Sequence, residues 1–401
     1  MDSHTTGAQS GKRTNYGGRL VMLGRIVLTG AFAAALAAPA LAQSFDDPKE
    51  FQHQRELLQI KPEGPDGKPW EQHLDGGMVD TAKYKKPGPY KVCFSNAGIF
   101  NPWRVVGWNT MQAEVEVEKA DIAKFTFADG EGKDDKQISD IKDMVSSGNC
   151  DILIVSPNTT AALTPAVDEA CKKIPVITFD RGTTSTCPVT HILPIGGYAF
   201  GIIGAEFIAA HVPAGGKVIA LRISPGVDVL ETRWSAAKHI FAEKGVKVLG
   251  GEHDGDFTDG DRAKTKSIVA DYLAKNGQID GVWMDAGATT TAALEAFEDA
   301  GMKYPVINGE DQQDFLQAWK KDKLVAIAPT YPTYQWRTPI IAAVKVLKGE
   351  PVPGPIWELP DQAITQDTLD KYVSDKLPPL HYAMCGCEGL PGYPERWGVK
   401  K

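Results

Sequence analysis

The chain has 401 residues, of which 42% are hydrophobic and 23% charged, a composition that excludes disordered and fibrous proteins and suffices for two domains. Its 43 Lys and Arg residues are outnumbered by 51 Asp and Glu residues, so the formal net charge is -8. This balance leaves no broad basic surface for a phosphate backbone, and we predict no nucleic-acid partner.

The first elements in chain order are a basic segment and an apolar one, which together have the pattern of a secretory signal peptide. Residues 26–42 are rich in alanine and end in Ala40-Leu41-Ala42, the small-residue pattern that signal peptidase cleaves. This stretch of 17 residues is shorter than the about 20 that cross a bilayer. We predict cleavage after Ala42 and export, with an uncleaved N-terminal anchor as the alternative. The basic residues ahead of the apolar stretch are Lys12, Arg13, Arg19 and Arg25.

After a polar stretch interrupted by six prolines, residues 43–89, short apolar runs rich in β-branched residues alternate with longer amphipathic segments. The runs predict strands at residues 92–95, 123–127, 152–155, 176–179, 189–193, 218–221, 246–249, 281–284, 306–308, 325–328 and 356–359. The amphipathic segments predict helices near residues 102–119, 134–147, 160–172, 198–211, 228–244, 260–275, 289–300, 312–322 and 336–348.

Regular alternation of strands and helices is typical of α/β proteins whose parallel sheets are covered by helices on both faces. Roughly eleven strands exceed what one doubly wound domain of ordinary size holds, so we predict two Rossmann-like lobes. The predicted segments are a signal peptide (1–42), an N-terminal extension (43–89), an N-terminal lobe (90–194 plus 335–360), a C-terminal lobe (195–334) and a C-terminal helix with a Cys-containing tail (361–401).

All six cysteines follow the predicted cleavage site, and export into an oxidising compartment favours disulfides. Cys171 ends a predicted helix and Cys187 lies in the loop beyond the next strand, so we predict that these two pair. The spacing of Cys385 and Cys387 is too tight for a Cys-x-x-Cys redox motif, and no His cluster in the sequence indicates zinc, which favours a disulfide in the tail. Pairing of the other four remains open: Cys93, Cys150, Cys385 and Cys387.

Open parallel sheets bind ligands at the carboxyl ends of their strands, so the residues just after each strand are the candidate site. These positions carry carboxylates, arginines and a tryptophan, a combination that suits a neutral polyhydroxylated ligand such as a sugar. Each residue has an alternative role as a helix cap, a solvated ion pair or a packing residue between lobes. The candidates are Asn101, Trp103, Arg104, Asp180, Arg181, Asp285 and Asp311.

Four sequence segments together resemble the type I periplasmic sugar-binding proteins of the ribose-binding kind, which serve ABC importers. The resemblance covers about residues 90–359, in order and at similar spacing. The segments are Ile174-Pro175-Val176-Ile177-Thr178-Phe179-Asp180-Arg181, Asn101-Pro102-Trp103, Leu153-Ile154-Val155-Ser156-Pro157 and Val344-Lys345-Val346-Leu347-Lys348-Gly349.

The resemblance implies a type I periplasmic binding protein fold, with two lobes joined by a three-strand hinge and a ligand in the cleft between them. It implies that Trp103 stacks on the sugar, that Asn101 is a polar contact, and that Asp180 and Arg181 form the family's Asp-Arg pair. The other implied contacts are Arg233, Phe257, Asp311 and a hinge glutamine at Gln335, with Tyr334 as the alternative.

The sequence departs from the family pattern after the eighth strand, where Ala286 stands in place of the usual Asn and Asp285 lies beside it. The resemblance therefore does not support ribose itself as the ligand. It implies a monomeric periplasmic protein that captures a monosaccharide or related polyol and delivers it to an ABC permease in the inner membrane, using no cofactor and no catalytic residue.

The sequence leaves two alternative functions. A sensing protein would present the same sugar to a membrane receptor, and the sequence does not separate this from transport. A secreted glycoside-acting enzyme is the second alternative, but the sequence lacks a Gly-x-Ser-x-Gly elbow, a His-Glu-x-x-His pair and a phosphate loop.

Overall fold

The computed structural model describes residues 45–74, 76–195, 197–251 and 255–399. The predicted signal peptide, residues 1–42, lies outside the described residues. In the part of the chain that the structure describes, no helix is both long and apolar enough to span a membrane.

Strands and helices alternate along most of the chain. The strands are β1 (Gly77–Val79), β2 (Tyr90–Asn96), β3 (Ile122–Asp129), β4 (Ile152–Ser156), β5 (Val176–Phe179), β6 (Thr190–Pro194), β7 (Val218–Arg222), β8 (Val248–Leu249), β9 (Asp256–Phe257), β10 (Gly281–Met284), β11 (Val306–Asn308), β12 (Ala326–Ile327), β13 (Val352–Gly354) and β14 (Ile356–Leu359). The α-helices are α1 (Pro48–Leu57), α2 (Pro102–Val117), α3 (Asp134–Ser146), α4 (Thr160–Cys171), α5 (Tyr198–His211), α6 (Asp228–Glu243), α7 (Arg262–Asn276), α8 (Thr290–Asp299), α9 (Gln313–Asp322), α10 (Thr338–Lys348) and α11 (Leu369–Tyr372).

Two six-stranded sheets form the centres of two lobes. The N-terminal lobe has the strand order β14-β6-β5-β4-β2-β3, and the C-terminal lobe has the order β12-β11-β10-β7-β8, with β9 also paired to β7. Every pairing within these two sheets is parallel. The predicted α/β class with parallel sheets in two lobes is confirmed.

The central strands are apolar because helices cover both faces of each sheet. In β4, for example, Ile152, Leu153, Ile154 and Val155 are all fully buried. A strand buried on both faces reads as a continuous apolar run, so each predicted strand overlaps a strand of the structure.

The chain crosses between the lobes three times. It leaves the N-terminal sheet after β6, returns after β12 through a 3-10 turn at Thr333–Trp336 into α10, and leaves again after β14. Beyond β14, Ile364 pairs with Ala328, the residue that follows β12 of the C-terminal lobe. These three segments are the predicted three-strand hinge.

The N-terminal extension contacts both lobes. Its helix α1 lies on α5 of the C-terminal lobe, where the hydroxyl of Tyr198 donates to the carbonyl of Phe45 at 2.6 Å and Arg55 pairs with Glu206 at 2.8 Å. Further along, β1 pairs antiparallel with β13, which adjoins β14 of the N-terminal lobe. The extension therefore contacts both lobes.

The C-terminal tail makes a second connection between the lobes. The backbone amide of Gln313 in the C-terminal lobe donates to the carbonyl of His381 at 2.8 Å. The tail then passes the hinge, where Arg337 donates to the carbonyl of Gly386 at 2.7 Å. It ends against α2 of the N-terminal lobe, where the indole of Trp397 donates to Thr110 Oγ1 at 3.2 Å.

Three disulfides are present in the described residues. One joins Cys171 to Cys187, the pair expected from their positions in the sequence. Cys385 is joined to Cys387 in the tail. The third joins Cys93 in β2 to Cys150 just before β4, two adjacent strands, a pairing that the sequence left open.

Candidate functional site

The candidate site has one set of side chains on each lobe. On the N-terminal lobe this set, here called the N-terminal wall, is Trp103, Arg104 and Asp180, with Arg104 at its centre. Arg104 lies in the first turn of α2, which begins where Asn101 accepts a hydrogen bond from the amide of Arg104 at 2.9 Å and so caps the helix. The guanidinium of Arg104 donates to Asp180 Oδ2 at 2.6 Å and to Asn96 Oδ1 at 2.9 Å. Because Asn96 ends β2 and Asp180 follows β5, the carboxyl ends of two strands that flank β4 meet at this arginine.

Asp180 is held in an unusual backbone conformation directly after β5. Its φ is 67°, in the left-handed region, which costs energy for a residue other than glycine. The amide of Asp180 donates to the carbonyl of Ile192 at 3.0 Å, and its carboxylate also accepts from the hydroxyl of Ser156 at 3.1 Å. These bonds fix the position of the carboxylate.

Arg181 points away from this pair. Its guanidinium donates to the carbonyl of Asn158 at 2.6 Å, and its Nε lies 3.9 Å from Asp180 Oδ2. The predicted Asp-Arg pair is therefore adjacent in sequence, but the closer ion pair of Asp180 is with Arg104.

Arg233 forms the corresponding centre of the C-terminal wall. It lies on α6, is buried, and donates to the carbonyl of Asp285 at 2.5 Å. Its guanidinium also lies 3.9 Å from the ring centroid of Phe200 and 3.5 Å from the carboxylate of Glu310. An arginine held by an aromatic face and a carbonyl is fixed in orientation, as a binding residue requires.

Asp285 and Phe257 lie on this wall but contact other partners. The Asp285 carboxylate accepts a hydrogen bond from the amide of Ile223, the residue directly after β7, at 2.9 Å. The ring of Phe257 lies 4.8 Å from the guanidinium of Arg222, another buried arginine at the end of β7. Arg222 in turn pairs with Glu231 at 2.7 Å.

Asp311 differs from its predicted role, because it faces the C-terminal tail. Its Oδ2 accepts from the amide of Met384 at 2.7 Å, and its carbonyl accepts from the amide of Ala383 at 2.9 Å. The preceding residue, Glu310, is the carboxylate that faces Arg233. These two successive acidic residues therefore point in different directions, Glu310 towards Arg233 and Asp311 towards the tail.

The two candidates for the hinge glutamine position lie in the 3-10 turn at Thr333–Trp336. Gln335 is buried in the 3-10 turn, where its Nε2 donates to the carbonyl of Pro332 at 3.1 Å. The alternative, Tyr334, donates to the carbonyl of Pro360 and packs against Trp70 of the N-terminal extension.

Tyr331, which the sequence analysis missed, joins the two walls. Its ring centroid lies 5.5 Å from that of Trp103 and 4.6 Å from the guanidinium of Arg233. Its hydroxyl donates to the carbonyl of Asp180 at 2.9 Å. Tyr331 lies in the second crossover, where no strand or helix period marks a functional side chain, so sequence alone offered no signal.

A second bond joins the lobes nearby. The amide of Gly182, just after Asp180, donates to the carboxylate of Asp228 on α6 at 2.6 Å. Burial raises the pKa of Asp228, and the neighbouring His191 opposes that shift. The loop after β5 therefore contacts the opposite lobe, and the carboxyl ends of the two sheets face a common cleft.

The C-terminal lobe and the adjoining crossover contain several buried carboxyl groups. Burial raises the pKa of Asp285, Glu310 and Asp361 each to about 7, and it raises the pKa of Asp311 to about 6. Arg233 lowers the pKa of Glu310 and thus opposes part of the shift. Near neutral pH these groups can either donate or accept a hydrogen bond.

One His-Cys-Cys cluster occurs in the described residues, but its sulfurs are not available to a metal. The ligand atoms of His381, Cys385 and Cys387 lie within 4.8 Å of one another, although the sequence shows no cluster of histidines there. Because both sulfurs are joined in a disulfide, they lack the thiolates that zinc binds.

The sequence matches the pattern of a periplasmic binding protein domain over residues 92–351. Ribose import binding proteins are similar to it: that of Haemophilus influenzae is 28% identical over 230 residues, 57% of this chain and 77% of the relative. That of Bacillus subtilis is 28% identical over 240 residues, 60% of this chain and 76% of the relative.

Solved structures with the same fold include an ABC transporter solute-binding protein from Bacillus halodurans with bound myo-inositol. It has a TM-score of 0.64 and 20% identity, covering 72% of this chain and 98% of its own. A solute-binding protein from Thermobispora bispora has a TM-score of 0.63 and 24% identity, covering 73% and 89%. These likenesses show the fold.

Proposed function

Because the chain belongs to the periplasmic binding protein domain family, we propose that it captures a sugar or related polyol between its lobes and delivers it to an ABC importer. The observation that carries the proposal is that each lobe has a set of polar side chains held in place by hydrogen bonds and ion pairs. Trp103, Arg104 and Asp180 lie on one lobe, and Arg233 with Glu310 lies on the other. Fixed arginines and carboxylates beside an aromatic ring match the hydroxyls and the C-H face of a sugar.

In this proposal, ligand binding favours the closed arrangement of the lobes, because only that arrangement brings both walls onto one ligand. The closed rims would then be recognised by the membrane permease, and a separate ATPase would drive transport. The role is binding and delivery, and it requires no catalytic step. The names of the ribose import binding proteins support a sugar as the ligand class.

The proposal includes export to the periplasm with cleavage after Ala42, and a monomeric mature protein. Intact mass spectrometry of protein from the periplasmic fraction is expected to give a chain that begins at Gln43. Light scattering after size-exclusion chromatography is expected to give the monomer mass. A chain that retains residues 1–42, or a stable dimer, would contradict these parts.

The test of ligand capture is a thermal-shift screen of the mature protein against pentoses, hexoses, polyols and acidic sugars. A ligand present at about 100 times its Kd stabilises the folded state by about 2.7 kcal/mol, which raises the melting temperature measurably. We expect at least one compound to do so. If no compound raises the melting temperature, and calorimetry of the same compounds shows no heat of binding, the proposal of sugar capture is wrong.

A further inference from the structure

The C-terminal tail brings three side chains that can bind a metal into one buried cluster, far from the cleft residues in sequence. A ring nitrogen of His381 and the sulfurs of Cys385 and Cys387 lie within 4.8 Å of one another. Both cysteines are fully buried and His381 is 2% exposed. The cysteines are joined in a disulfide, so in this state the cluster holds no thiolate.

The imidazole of His381 is polar but incompletely paired. Its Nδ1 is buried and has no hydrogen-bond partner among the described residues. Buried polar atoms of a native protein are nearly always paired, and an exception calls for an explanation such as a bound ion. An unpaired imidazole nitrogen beside two sulfurs therefore indicates a ligand group that the disulfide state leaves unsatisfied.

The spacing of the cluster is close to that of a tetrahedral zinc site. Zinc bonds of about 2.3 Å to sulfur and about 2.0 Å to nitrogen place neighbouring ligand atoms about 3.5 to 3.8 Å apart. The ligand atoms of the tail cluster need to move by about 1 Å to reach this spacing, once the bond between the sulfurs is broken. The carboxylate of Glu388 lies 3.9 Å from Cys385 Sγ and is in reach as a fourth ligand.

We propose that His381, Cys385 and Cys387 form a redox-dependent site for a thiophilic divalent cation such as Zn²⁺. A dithiol reductant transfers two electrons and two protons to the disulfide, which breaks the bond between the sulfurs and leaves a disulfide in the reductant. Zn²⁺ then displaces both thiol protons and bonds to the two sulfurs and the imidazole. Disulfide and metal exclude each other. This inference goes beyond the proposed function and does not depend on it.

The metal would join two parts of the protein that meet at the tail. The amide of Gln313 in the C-terminal lobe donates to the carbonyl of His381 at 2.8 Å. Arg337, directly after the 3-10 turn, donates to the carbonyl of Gly386 between the two cysteines at 2.7 Å. Because the cation binds only the folded arrangement of these segments, it should raise the melting temperature of the reduced protein.

Cobalt binding to the reduced mature protein tests the site. The protein is treated with excess dithiothreitol, passed through an anaerobic desalting column, and titrated with Co²⁺, whose bond to thiolate gives a charge-transfer band. Ellman's reagent counts the thiols, and circular dichroism establishes that each sample is folded. The controls are the untreated oxidised protein and the reduced Cys385→Ser/Cys387→Ser variant, which keeps the other four cysteines. His381→Gln tests the imidazole.

We expect the reduced wild type to bind one Co²⁺ per chain with a charge-transfer band that Zn²⁺ abolishes, and both controls to lack the band. His381→Gln should bind at least about 10-fold more weakly. A band of equal strength in the reduced Cys385→Ser/Cys387→Ser variant would overturn the site, because the metal would then lie on other cysteines. Unchanged affinity in folded His381→Gln would overturn the histidine ligand. A tail disulfide that stays intact in the folded protein under excess dithiothreitol would overturn the redox step.

Discussion

The guanidinium of Arg104 lies 2.6 Å from the carboxylate of Asp180, and both side chains are almost completely buried. Burial lowers the pKa of Arg104 to about 10, while Asp180 opposes that shift, so the arginine stays charged at neutral pH. Two residues 76 positions apart thus form a buried charged pair inside the N-terminal lobe.

Breaking this pair is expected to destabilise the protein. Asp180→Asn leaves the buried guanidinium without its counterion and should lower the free energy of unfolding by about 3 to 5 kcal/mol in urea titrations. The control is Glu169→Gln, which removes an exposed ion pair with Lys172 and should cost less than about 1 kcal/mol. Equal effects of the two substitutions would show that Arg104 and Asp180 are not a buried pair.

The buried carboxyl groups predict an unusual dependence of stability on pH. Between about pH 4.5 and 7 the folded state holds more protons than the unfolded state, because burial raises the pKa of Asp285, Glu310 and Asp361 to about 7. The stability that these groups contribute is therefore present at low pH and is lost as the pH rises through 7.

Asp361→Asn is expected to flatten this dependence. Between pH 5 and 6.5 the free energy of unfolding falls as the pH rises. The slope of this fall, measured by urea unfolding, should be about 1.4 kcal/mol per pH unit smaller in the variant than in wild type. Asp370→Asn, at an exposed carboxylate paired with Lys320, is the matched control and should leave the slope unchanged. The same slope in wild type and Asp361→Asn would mean that Asp361 titrates normally.

The disulfide between Cys171 and Cys187 closes a loop with a sequence separation of 16. Replacing both by serine should lower stability by about 3 kcal/mol, because the unfolded chain regains the entropy that the loop removed. The Cys385→Ser/Cys387→Ser pair, with a separation of 2, should cost less. Thermal unfolding measures both, and the reverse order would contradict this account.

The two terminal extensions are expected to restrict opening of the lobes, since each contacts both. A variant with Tyr198→Phe and Arg55→Ala weakens the N-terminal contact, and Trp397→Ala weakens the C-terminal one. We expect both to raise the radius of gyration of the unliganded protein in small-angle X-ray scattering. Lys83→Ala, at an exposed residue of the N-terminal extension, is the control. Radii equal to wild type in folded variants would show that the extensions do not restrain the lobes.

The lobes could be predicted from the sequence because strands such as β4, buried on both faces, are continuous apolar runs. The contact between Arg104 and Asp180 follows from strand ends that meet at one edge of a sheet. Local sequence could not place Tyr331, whose position depends on how two lobes pack, nor decide between Glu310 and Asp311. It also could not reveal that α1 packs on α5, because that contact joins residues about 150 positions apart.

The most direct test of the central claim is calorimetric titration of the ligand with the largest thermal shift into wild type and Arg233→Gln. If a sugar lies between the lobes, the wild type binds it with one-to-one stoichiometry. The variant should then bind about 10-fold to 100-fold more weakly, because charged hydrogen bonds are lost on one wall. Equal affinity of a folded Arg233→Gln variant would contradict a ligand held between the two walls.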